Sequence, residues 1–158
     1  MEGAVLFGIE PSIINIRKAK YTIGQAIDYI WNEDKHSKKG TKYLDKEINK
    51  WFCKDCFDKF IEINQNLKLE EKITKNFIMI DKRFTNLRFF KTIKPNPTFI
   101  FEEEVEFIGN CRLDAGKEYE NREDRKIEVT MKFGGTFIDV SAIHIKNGNL
   151  VKTKLIYN

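Results

Sequence analysis

Three runs near the C-terminal end leave little freedom in how that part of the chain can fold. Lys126–Phe133 alternates Ile127, Val129, Met131 and Phe133 against Lys126, Glu128, Thr130 and Lys132. A period of two, apolar on one side and polar on the other, predicts a strand with one face buried. Gly134-Gly135 follows, then Thr136–Lys146 as the next strand. Asn147-Gly148 comes after it, a pair that tolerates the positive φ of a tight hairpin turn. Leu150–Tyr157 closes the run with Val151, Thr153, Leu155 and Tyr157 on one face. The expectation is a three-stranded meander.

Phe99–Leu113 carries a similar pattern. Phe99, Phe101, Val105, Phe107 and Leu113 fall on one side, and Glu102, Glu104, Glu106 and Arg112 on the other. Glu103 is the inward exception. Leu87–Ile93 precedes it and ends at Pro95-Asn96-Pro97, whose prolines cannot donate to a ladder. Ala4–Ile9 and the segment around Ile13, Ile14 and Ile16 read as further short strands.

The middle of the chain carries a different period. Thr22-Ile-Gly-Gln25 fits a capping box, and Ile23, Ala26, Ile27 and Ile30 follow at helical spacing. This predicts a helix that ends near Asn32. A second helix is expected from about Lys42 to Asn64, on Leu44, Ile48, Phe52, Cys56, Phe60 and Ile63. Leu67–Lys75 reads as a short helix or a frayed continuation. The fold class expected is therefore α+β, with two N-terminal helices packed on a mostly antiparallel β-sheet and a C-terminal three-stranded meander. One domain over 1–158 is expected, helical over about 1–76 and β-rich over about 77–158.

The residues exclude several chemistries. There is no GxSxG elbow, no GxxxxGK[ST], no GxGxxG and no HExxH. His36 and His144 are the only histidines. Together these absences point to a non-catalytic protein. No apolar run reaches the roughly 18–20 residues of a membrane span, and an acid at position 2 argues against a signal peptide. A cytoplasmic protein with no membrane partner is expected. Three cysteines, an odd number, suit a reducing compartment.

Two stretches carry candidate binding chemistry. Lys82, Arg83, Arg88, Lys91 and Lys94 are interleaved with Phe84, Phe89 and Phe90, with no acid between them. Cations for phosphate and rings for stacking are what single-stranded nucleic acid needs. Lys38 and Lys39 add a second basic spot in an exposed loop. The candidate partner-binding residues are thus Lys82, Arg83, Arg88, Phe90, Lys91, Lys94, Lys38 and Lys39. Cys53-Lys-Asp-Cys56 supplies half of a tetrahedral zinc site, with no second CxxC or CxxH to complete it. Cys53 and Cys56 are weak metal candidates, the remaining soft donors His36, Cys111 and His144 being scattered across a loop and two strands, and no cofactor is expected unless zinc is bound.

Lys18–Ile30 followed by Asn32-Glu-Asp-Lys35 resembles the opening of mobilisation relaxases, where a strand leads into a helix ending in an AIDYI-like phrase. The clustered histidine triad of that family is absent here, so the resemblance implies no activity. Small, motif-free chains of AT-rich composition are common on phages and mobile elements. The function expected is a non-catalytic binding protein that occupies a surface of a protein or nucleoprotein target, as anti-CRISPR-like inhibitors of host defence do. The alternatives are a nucleic-acid-binding module using residues 82–94, and a small enzyme with an unrecognised site.

Overall fold

The computed structural model describes residues 16–157, and within them the chain is almost entirely β. Eleven strands form three antiparallel sheets: β1 (Ile16–Lys18), β2 (Thr22–Ile30), β3 (Lys42–Asp45), β4 (Lys50–Ile61), β5 (Asn66–Lys68), β6 (Glu71–Ile78), β7 (Phe84–Thr92), β8 (Val105–Asp114), β9 (Lys126–Phe133), β10 (Phe137–His144) and β11 (Leu150–Ile156). The helical segments are α1 (Glu33–His36) and a 3-10 turn at Arg122–Arg125, four residues each. The strands expected at Ala4–Ile9 and around Ile13 lie outside the described residues.

The expected α+β class is corrected. Both N-terminal helices are strands: the first is β2, and the second divides into β3 and β4. The AIDYI phrase is the end of β2, and the short helix at Leu67–Lys75 is β5 and β6. The cause lies in the pairing of β2 with β4. Ile27 faces Cys56 and Tyr29 faces Cys53, so the single Asp28 stands opposite Lys54 and Asp55. This is a two-against-one bulge. Asp55 sits at φ 56°, and its N–H donates to Asp28 Oδ1 at 3.0 Å. A second register shift falls between Ile23 and Gly24. Each extra residue stretches the spacing of same-side positions from two to three, which imitates a helical stripe.

The chain forms two compact units. The first comprises the described residues of Met1–Ala19, Asn64–Asn86 and Cys111–Asn158. It holds the β1-β5 pair and a four-stranded sheet of order β11-β10-β9-β6. The meander is present there, with Val140 opposite Met131 and Thr153. Ile127, Val129, Met131, Phe133, Ile138, Val140, Ala142 and Leu155 are buried on one face. Arg125 is buried too, with Nε donating to Tyr119 O and Nη2 to Glu120 O, both at 2.8 Å.

The second unit comprises Lys20–Ile63 and Leu87–Asn110. Its strands belong to a five-stranded sheet of order β3-β4-β2-β7-β8. Ile23, Phe57, Phe60, Ile61, Phe89 and Phe90 are buried. The long strand expected from Phe99 starts only at Val105, because Glu102 closes a turn before it. The Glu102 carboxylate accepts the N–H groups of Thr98 and Phe99 at 2.7 Å and pairs with Lys94. Glu103 is exposed rather than buried.

Candidate functional site

The bulge in β4 has a chemical result. In a regular strand, residues three apart point to opposite faces. With one residue extra, Cys53 and Cys56 come to the same side, both fully buried. They meet His36, which ends α1 and is 3% exposed. One donor atom from each of the three lies within 4.8 Å of the others, and Cys56 Sγ is 3.8 Å from His36 Nε2.

Local structure fixes the histidine. Asn32 caps α1, its side chain accepting from the N–H groups of Asp34 and Lys35. The Asn32 N–H donates to His36 Nδ1 at 2.9 Å. The ring lies between Trp31 and Phe99, with centroids 5.5 and 6.0 Å away. Gly40 closes the loop over the cluster: a Cβ there would stand 2.6 Å from His36 O and 2.8 Å from Cys53 Sγ. Burial pushes the Cys56 thiol up to about 12 and raises Cys53 as well. Burial, aided by Lys35, lowers His36. At neutral pH and without a cation, the cluster is two thiols and a neutral imidazole.

The basic stretch 82–94 is neutralised in place. Lys82 pairs with Glu120 at 2.6 Å and Arg83 with Asp114 at 3.0 Å, in the first unit. Arg88 pairs with Asp55 at 2.7 Å, Lys91 with Glu106 at 3.7 Å and Lys94 with Glu102 at 3.2 Å, in the second. Phe89 and Phe90 are core residues. Lys38 and Lys39 are exposed in the turn after α1. These cations are therefore divided between the two units.

A basic face does form elsewhere. The solvent side of the four-stranded sheet places Lys72, Lys132, Asp139 and Lys154 in one cross-strand row, and Thr74, Thr130, Ser141 and Lys152 in the next. Lys72, Lys132, Lys152 and Lys154, with Thr130, Asp139 and Ser141, line a shallow depression of about 430 Å³. Lys132 pairs with Glu70 at 2.9 Å, and Lys154 with Asp139 at 3.9 Å. Lys72 and Lys152 have no ionic partner among the described residues. For Lys132, Asp139, Lys152 and Lys154 the signal was present in the sequence, since they belong to the polar half of the alternation that defines the meander, whereas Lys72 lies in β6, a segment that read as a short helix. His36 was one of three remaining soft donors in the sequence, but its loop position hides its approach to the cysteines.

No helix among the described residues is long and apolar enough to cross a membrane. No family model matches the chain. Known proteins do resemble it. Human heat shock 70 kDa protein 12A is 32% identical over 158 residues, covering 96% of this chain and 23% of the human protein. The mouse protein of the same name is 31% identical with the same coverage. Human heat shock 70 kDa protein 12B is 24% identical over 164 residues, covering 98% of the chain and 24% of that protein. These relatives overturn the expectation of an inhibitor from a phage or mobile element. The chain is similar along nearly its whole length to heat shock 70 kDa proteins 12A and 12B, and spans less than a quarter of the length of these relatives.

Proposed function

We propose that the chain is a non-catalytic binding module that holds an extended, acidic polypeptide segment on the solvent face of its four-stranded sheet. The observation that carries this reading is the row of lysines in the depression, two of them without an ionic partner among the described residues. A partner with carboxylates completes those charges. Two further features favour a polypeptide. β11 is an edge strand, so its outer backbone groups can pair with an added strand. Exposed apolar residues sit at both ends of the face, Phe137 beside Ile156 at one and Leu150, next to the half-buried Ile143, at the other.

Nucleic acid fits less well. The lysines suit phosphates, but Phe137 is the one ring on that face among the described residues, and Lys154 Nζ already lies 4.8 Å from its centroid. A stacking platform needs open rings.

The test is fluorescence anisotropy with a labelled Glu/Asp-rich peptide flanked by leucines, beside a labelled single-stranded oligonucleotide. Saturable binding of the peptide is expected, weakening as salt rises. Lys72→Glu with Lys152→Glu is expected to weaken it on the order of ten-fold, since each exposed pair contributes about 0.2–1 kcal/mol and each reversal adds repulsion. Absence of peptide binding at low salt rejects the proposal. Oligonucleotide binding that is lost in the same variant favours the nucleic-acid reading instead.

A further inference from the structure

The cluster formed by the β4 bulge goes beyond the binding face and lies in the other unit. We propose that Cys53, Cys56 and His36 hold one closed-shell d10 cation, zinc(II) or copper(I), through two thiolate sulfurs and one imidazole nitrogen. Both ions accept thiolate and imidazole donors. Around such an ion, with bonds of about 2.3 Å to sulfur and about 2.0–2.1 Å to nitrogen, neighbouring donors stand roughly 3.5–4 Å apart. The Cys56–His36 separation of 3.8 Å is already in that range, and no donor pair exceeds 4.8 Å. Closing the set therefore needs movement of no more than about 1 Å.

The surroundings match the needs of a closed site. All three donors are buried, so bulk water does not displace them from the ion. Trp31 and Phe99 wall the imidazole, and Gly40 leaves just enough room above Cys53. The bulge is what aims both sulfurs inward. Its Asp55 is held at positive φ, with its N–H on Asp28 and its side chain on Arg88.

The proton balance is specific. Without a cation, Nδ1 accepts the Asn32 N–H, so the imidazole proton sits on Nε2 and points at Cys56 Sγ. Coordination by Nε2 shifts that proton to Nδ1 and breaks the bond from Asn32. Both thiol protons leave. One cation therefore displaces two protons, and the imidazole stays neutral. Among the described residues no fourth side chain joins the cluster. Copper(I) is complete with three donors, whereas zinc(II) takes solvent as its fourth.

The test uses the whole chain, purified without chelator and kept reduced. Elemental analysis is expected to find one equivalent of zinc or copper, and titration of stripped protein with Zn(II), or anaerobically with Cu(I), shows which ion binds more tightly. Stripped protein titrated with Co(II) is expected to develop a thiolate-to-metal charge-transfer band. Two protons should be released per ion, and the Asn32 amide signal should move on loading. Cys56→Ser is expected to abolish the band, and His36→Gln to weaken binding at least ten-fold. Should the variants fail to fold, the cobalt band and proton count in the wild-type chain still decide. Folded wild-type protein that takes up neither ion at one equivalent overturns the proposal. So does uptake without the thiolate band.

Discussion

His144 shows how much one side chain can cost a fold that keeps it. It is fully buried, with its ring 4.8 Å from that of Tyr119, and neither ring nitrogen has a hydrogen-bond partner among the described residues. A buried polar atom left unpaired costs about 1–3 kcal/mol. Leucine has similar volume and no polar atom. His144→Leu is expected to stabilise the chain by about 1 kcal/mol, raising the thermal midpoint by about 2–4 °C for a chain of this size. A lower midpoint in calorimetry shows instead that the nitrogens are satisfied in solution. The alternation in Lys126–Phe133 and Leu150–Tyr157 reveals which face each residue takes. It does not reveal whether an inward polar residue finds a partner.

Among the elements, β4 decides both the fold and the chemistry. Of its buried positions, Cys53, Cys56 and Phe60 are spaced by three and four, the spacing of a helix face. Two register shifts in one pairing produce that spacing from a strand. A sequence does not mark where a bulge falls, so the α+β expectation failed here. The meander was legible because its strands carry no bulge and its turns use Gly134-Gly135 and Asn147-Gly148. Half of the cysteine cluster was legible as CxxC; the histidine was not, because loop closure brings it in. Gly24 is the checkable part of this element. A Cβ there would stand 2.2 Å from Asp58 O, backbone that cannot swing aside. Gly24→Ala is expected to part β2 from β4 and to destabilise by about 3 kcal/mol or more, at the upper end of overpacking costs. Urea denaturation and amide exchange across β2 and β4 check it. Unchanged protection there contradicts the close approach.

At the scale of the molecule, the chain crosses between its two units four times, yet each unit has its own buried apolar residues. Both tryptophans, Trp31 and Trp51, belong to the second unit. Tryptophan fluorescence therefore follows that unit, while circular dichroism follows the strands of both. Glu102 offers a way to perturb the second unit alone. Burial by itself would raise its carboxyl, but the Phe99 and Thr98 amides and Lys94 outweigh this and hold it below the ordinary range. A depressed folded value means that the stabilisation is complete above the unfolded value, about 4.3, and is lost as pH falls through the folded one. Glu102→Gln removes the charge from these bonds and is expected to cost about 1–2 kcal/mol at pH 7. Its difference from the wild type should shrink below about pH 4. The fluorescence midpoint in urea is expected to fall further than the circular dichroism midpoint. Equal shifts at the two probes mean that the units unfold as one cooperative block. In that case a cation held by Cys53, Cys56 and His36 stabilises the sheet that carries the lysine face as much as its own.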